Sequence, residues 1–136
     1  MKVYVAADLD QQKEARTLAD ALTERGHEIV SSWIYIPGLR ELEISGIPEE
    51  KANIAVTEIA EVCCADCLVV FTKEAPLYSL GGRHVEMGIA MGNGIDVIVI
   101  GPRENVFHYH PSIRRYWSAE DALESEWTIK GVSQNE

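Results

Sequence analysis

"DCLVVFTKEAPLYSLGGRHVEMGIAMGNGIDVIVIG", residues 66 to 101, decides the fold. It opens and closes on continuous apolar runs, "DCLVVFT" (66 to 72) and "DVIVIG" (96 to 101). Both are too short for a helix, rich in β-branched residues and without alternation, which suits strands buried on both faces of a parallel sheet. Between them the composition predicts a loop (73 to 82) and a short helix (83 to 92) that ends at Gly92 and Gly94. Strand, helix and strand in this order make a βαβ unit.

The pattern extends in both directions. "KVYVAA" (2 to 7) reads as a strand followed by the acidic turn "DLD". Residues 11 to 25 repeat Ala15, Leu18, Ala19 and Leu22 at the spacing of one helical face, and Gly26 stops that helix. "HEIVSSW" (27 to 33) reads as a second strand. Residues 34 to 47 carry Pro37, Gly38 and Gly46 without a clean period, which predicts a loop and a candidate lid. Pro48, followed by two glutamates and a lysine, starts a helix that runs to about Cys64. Beyond Gly101 the chain is irregular, with a short fifth strand expected near 113 to 117. Ser118 is placed to cap a last helix, with Asp121 at the capping-box position, and the tail from Lys130 is expected to fray. Alternation of strands and helices over 136 residues predicts a single α/β domain, residues 1 to 136. The expected architecture is Rossmann-like or flavodoxin-like, a parallel sheet of four to five strands with helices on both faces. Ligands of such sheets sit beyond the carboxyl ends of the strands, here "AADLD", "SSWIY", "FTKEAPLYSLGG" and "GPREN".

Composition excludes several functions. A formal net charge of -10 repels polyanions, and the only basic cluster is Arg114 with Arg115, so no nucleic acid polymer is expected as a partner. No apolar run approaches the roughly 20 residues of a membrane span, and the start of the chain lacks a signal-peptide pattern, so no membrane partner and a cytoplasmic location are expected. Cys63, Cys64 and Cys67 include a CxxC, but it sits at a helix end and no second ligand pair accompanies it, so the cysteines are read as small buried residues. The histidines His108 and His110 lack further ligands, and no metal site or organic cofactor is expected.

The chemistry concentrates around Glu86. Gly81 and Gly82 permit a tight turn into the helix and leave amides free at its start, where the dipole favours an ionised carboxylate usable as nucleophile or base. The alternative is an ordinary surface acid, paired with Arg83 or capping the helix. The glycines, with Ser79, either hold a phosphate or only form the turn. Arg83 and His84 border Glu86 and either touch substrate or stand exposed in the first turn. Asp8 either meets the ligand or caps the first helix. Asp66, at the opposite end of its strand, reads as a structural turn acid.

Three features, "KVYVAADLD", the acid Glu58 eight residues before Asp66, and "GGRHVEMGIAMGNGIDVIVIGPRENVF", together resemble the nucleoside 2-deoxyribosyltransferases and the related deoxynucleoside 5'-monophosphate N-glycosidases. The resemblance spans roughly residues 2 to 110. It implies that Glu86 attacks the anomeric carbon of a deoxyribose and forms a glycosyl-enzyme, that Tyr4 lies beside this nucleophile, and that Glu58 holds sugar hydroxyls. Three positions depart from the family pattern. Glu58 replaces the usual aspartate, Leu80 stands where transferases often carry a base-recognising aspartate, and "SLGG" matches the hydrolases' phosphate loop with one extra residue before the glutamate. Asn105 falls in the region that completes a neighbouring subunit's site, so the resemblance implies a homodimer or larger oligomer. The expected activity is cleavage of a 2'-deoxynucleoside and transfer of its deoxyribosyl group to another free nucleobase. The alternatives are hydrolysis of a deoxynucleotide, that is a 5'-monophosphate N-glycosidase, or a non-catalytic nucleotide-binding protein.

Overall fold

A computed structural model of the chain describes residues 1–74 and 80–128. Among the described residues ten regular elements follow one another: β1 (Lys2–Ala6), α1 (Gln12–Glu24), β2 (Glu28–Ile29), α2 (Leu39–Ser45), α3 (Pro48–Cys63), β3 (Cys67–Phe71), α4 (Gly82–Gly92), β4 (Asp96–Ile100), β5 (Arg114–Tyr116) and α5 (Ala119–Glu126). Three short 3-10 turns lie between them, at Leu9–Gln11, Ser32–Tyr35 and Val106–Tyr109. The strands form one parallel sheet in the order β2-β1-β3-β4-β5.

The sheet's centre is what the apolar runs dictate. Every residue of β3 is buried, as are Val3 to Ala6 and Val97 to Ile100. Tyr4 pairs with Leu68, and Val69 pairs with Ile98. From α1 the core receives Ala15, Leu18, Ala19 and Leu22, the residues of its expected face. Gly26 lies just past this helix at φ 89, and Pro48 occupies the first turn of α3. The short fifth strand forms, and Ser118 accepts the Asp121 amide at 3.1 Å as the cap of α5. The carboxylate of Asp66 takes the Lys2 amide at 2.7 Å, the structural role expected of it.

Three expectations fail, wholly or in part. Residues 34 to 47 do not form a loop, because α2 occupies Leu39–Ser45. The glycines read there as breakers are its boundaries: Gly38, left-handed at φ 71, precedes the helix, and Gly46 donates its amide back to the Leu42 carbonyl. The second strand is only Glu28–Ile29, because Ser31 turns its hydroxyl onto the Val5 amide at 3.0 Å and ends the ladder there. The chain then enters a 3-10 turn whose Trp33 indole donates to the Val5 carbonyl at 2.7 Å, while the Gln12 amide holds the Trp33 and Ile36 carbonyls. The cysteines divide: Cys67 is buried in β3, but Cys63 and Cys64 are exposed, because the last turn of α3 buries Val62 and turns the next two side chains to solvent. The expected frayed tail falls outside the described residues.

From β1 the chain turns to one side, to β2, and from β3 to the other, to β4. Between the carboxyl ends of β1 and β3 the connections therefore diverge and leave a crevice. Among the described residues no helix is long and apolar enough to cross a membrane.

Candidate active site

A cavity of about 380 Å³ opens at this crevice. Its floor is built by three elements. Tyr4 rises from β1, fully buried, and donates its hydroxyl hydrogen to the Glu86 carboxylate. Glu86 comes from α4, where Arg83, Glu86, Met87 and Ala90 form the buried face at i, i+3, i+4 and i+7. Met87 and Ala90 pack on the sheet, so the same helical phase carries the two charged side chains of the first turns inward beneath the cavity. Glu58 arrives from α3, one turn before the buried Val62, and lines the cavity beside Glu86, close enough that the titrations of the two carboxyl groups are linked. The structure thus brings together Tyr4, Glu58 and Glu86, three residues that the resemblance assigned to one site.

Electrostatics here differ from the sequence reading, in which the helix dipole kept Glu86 ionised. Burial raises its pKa well above the ordinary glutamate range; the Tyr4 hydrogen bond opposes this, and the neighbouring Glu58 charge reinforces it. Glu58 is raised as well, mainly by burial, with Glu43 and Glu61 adding to the effect. Two carboxylates this close cannot both ionise at little cost, so the pair shares a proton near neutrality. Burial, with the Glu86 charge beside it, drives the Tyr4 phenol far above its usual value. It therefore remains a donor, and it favours the arrangement in which Glu86 carries the charge.

Of the two readings of Arg83, substrate contact or an exposed first-turn residue, the second fails; Arg83 lines the cavity, as does Asp8. Arg83 is buried, 1% exposed, with its guanidinium 2.9 Å from Asp8 and 2.5 Å from Glu104. Asp8 does not cap the following helix turn. It takes Arg83 on one oxygen and the Lys73 ammonium on the other, at 2.9 Å. Lys73 in turn reaches Asp10 at 2.6 Å. Arg83 holds the Glu104 carboxyl below the ordinary range despite its burial, and the Glu104 amide donates to His108 Nδ1 at 2.9 Å. This charged network joins the ends of β1, β3 and β4 behind one wall of the cavity.

Gly81 precedes α4 in a left-handed conformation, φ 87, and with Gly82 lines the cavity. Ser79 lies outside the described residues. Asn105 is not brought to the cavity; it accepts the Phe107 amide at 2.9 Å and caps a 3-10 turn. Sequence reasoning missed Trp33, Arg40, Glu43 and Lys73, all of which line the cavity. For Glu43 a signal existed, since it stands one helical turn after Leu39, the buried residue of α2. Among the described residues no group of three or more His, Cys, Asp or Glu side chains is arranged to hold a metal.

No protein-family model matches the sequence, and no curated protein matches it. Solved structures do share the fold. A 2-deoxyribosyltransferase from the psychrotolerant bacterium Bacillus psychrosaccharolyticus superposes with a TM-score of 0.66 at 18% identity, over 90% of each chain. A CMP N-glycosidase of Clostridium botulinum gives 0.57 at 17% identity, over 91% of this chain and 96% of that one. The chain therefore has the single-domain parallel α/β fold that these two proteins share, along almost its whole length.

Proposed function

We propose that the protein is an enzyme that cleaves the N-glycosidic bond of a 2'-deoxynucleoside and transfers the deoxyribosyl group to another nucleobase. The observation that carries this reading is the hydrogen bond from Tyr4 to Glu86, a carboxylate that lines, together with Glu58, a cavity at the sheet's switch point. Losing a base from deoxyribose passes through a cationic, oxocarbenium-like state, and a buried carboxylate beside the anomeric carbon stabilises that charge and can trap it. In this reading Glu86 is the nucleophile, Tyr4 fixes its orientation and charge, and Glu58 takes a sugar hydroxyl. The names of both fold neighbours, a deoxyribosyltransferase and a CMP N-glycosidase, agree with N-glycosidic chemistry.

Transfer is preferred over hydrolysis of a 5'-monophosphate because the cavity is rich in carboxylates and the cations near the glycine turn are already engaged. Asp8 and Glu104 hold Arg83, and Asp8 and Asp10 hold Lys73. The amides of Gly81 and Gly82 at the start of α4 favour the second reading, a monophosphate N-glycosidase, as an anion site. Incubating the protein with each deoxynucleoside and deoxynucleotide, with and without an added free base, separates them. Base exchange supports transfer, base release from monophosphates alone supports hydrolysis, and no release from any substrate favours a binding protein.

We also assign a second copy of the chain as partner. On α3, Ala52, Ala55, Val56, Ile59 and Cys63 are exposed along one helical stripe, and α4, packed beside it, exposes Val85. Both helices carry site residues, so an interface there would lie next to the cavity.

A further inference from the structure

We propose that Glu43 is the catalytic acid and base of the glycosidic step, the group that protonates the departing nucleobase and then deprotonates the acceptor. This rests on the reading of Glu86 as nucleophile. When the bond between C1' and the base nitrogen breaks, its electron pair goes to the base, which leaves readily only if that pair is met by a proton.

The carboxyl groups around the cavity can be taken in turn. Glu58 shares its proton with Glu86, the nucleophile itself. In glycosidases that use a nucleophile, the acid works across the sugar at a carboxyl separation of about 5–5.5 Å, and a carboxyl group that shares its proton with the nucleophile is too close to it for that role. Asp8 is engaged by Arg83 and Lys73, and Asp10 by Lys73. Arg83 holds Glu104 in its ionised form. Tyr4 is fully buried and its hydrogen is committed to Glu86. Glu74 stands exposed at the rim.

Glu43 differs from all of these. It lines the cavity from α2, is half-buried, and makes no hydrogen bond or ion pair with the described residues. Glu58 from α3 and Glu86 from α4 line the same cavity, and both feel its charge; Arg40 of its own helix lines it too. Burial lifts the Glu43 carboxyl above the ordinary glutamate range, so it keeps a proton to higher pH than a solvated side chain would. In the first half-reaction a Glu86 oxygen bonds to C1', the bond from C1' to the base nitrogen breaks, and the base nitrogen takes the Glu43 proton. In the second, the acceptor nitrogen, or water, bonds to C1' and gives its proton to Glu43 as the Glu86 oxygen leaves. Glu43 and Glu86 end as they began.

The test is Glu43→Gln on two substrates. An ordinary deoxynucleoside needs protonation to leave, whereas 7-methyl-2'-deoxyguanosine carries a base that is already cationic. With Glu43→Gln, kcat/KM on ordinary deoxynucleosides should fall by about 100-fold or more, activity on the 7-methyl substrate should stay within about threefold of wild type, and the basic limb of the pH profile should disappear. Equal loss on both substrates, or loss on neither, overturns the assignment. If the variant does not fold, Glu43→Asp is read on the same pair: selective loss on ordinary deoxynucleosides supports the role, and equal loss overturns it. A wild-type protein inert on both substrates overturns the glycosidic reading itself, and the role of Glu43 with it, which the selective outcomes do not.

Discussion

The hydroxyl of Tyr4, in the middle of the first strand, donates to the carboxylate of Glu86 on the fourth helix, across 82 positions of sequence. This contact lowers the proton affinity of Glu86 against the burial that raises it. Tyr4→Phe keeps the ring and removes the donor. Its expected effect is a fall in kcat/KM on the order of 10–100-fold at neutral pH, consistent with one charge-assisted hydrogen bond. Because the donor holds the Glu86 pKa down, its loss moves the acid limb of the pH profile to higher pH. A profile of kcat/KM against pH for both proteins checks this.

Glu86 and Glu58 also set how stability responds to pH. Folding raises both above their unfolded values, so the folded state binds the extra proton. Stability is therefore full below the ordinary glutamate pKa and declines as pH rises through the raised folded values. Glu86→Gln removes the buried charge while keeping the shape. It should stabilise the protein at pH 8 by about 1–2 kcal/mol, a Tm rise on the order of 3–8 °C for a domain of this size, and flatten the dependence. Thermal unfolding at pH 5 and pH 8 measures both effects.

Arg83 belongs to the framework. Its side chain is inaccessible, and removing it leaves Asp8 and Glu104 facing each other without their shared cation. Arg83→Met should destabilise by about 3–5 kcal/mol. Arg83→Lys should recover only part of this, because one ammonium does not reproduce a planar fork that serves two carboxylates. Denaturant unfolding curves of the three proteins provide the comparison.

The exposed stripe on α3 tests the assembly. Val56 is 69% exposed and Ile59 is 47% exposed, with small residues on the same line. Val56→Glu places a charge in the middle of that stripe, and the mass measured by light scattering should drop from an oligomer to 15.1 kDa. An unchanged mass points to an interface elsewhere.

What was legible in the sequence follows from how local the signals are. The runs at 67–71 and 96–100 announced a parallel sheet because strands covered on both faces need apolar residues at every position. Composition alone leaves Glu86 open between a surface acid and a site acid; its place on the rim, in a glycine-flanked apolar helix that resembles a known family's, is what singles it out. The helix at Leu39–Ser45 was not legible: seven residues are too few to display a period, and its bounding glycines read as breakers. Nor was the buried Arg83 legible, since its partners lie 75 positions upstream and 21 downstream and meet only once β1, β3 and β4 are aligned. The raised pKa of Glu86 is likewise a property of the assembled cavity, since it comes from burial and from the charges of Glu58 and Glu43, which lie on other helices.

The central claim is that Glu86 bonds covalently to the sugar, and the direct measurement is the mass of the intact protein, quenched in acid during turnover of a deoxynucleoside. The expected result is a population heavier by one deoxyribosyl group, mapped by peptide digestion to the segment that holds Glu86 and absent from Glu86→Ala, which also releases no base. Base release by Glu86→Ala at the wild-type rate, or an adduct on another residue, would contradict it.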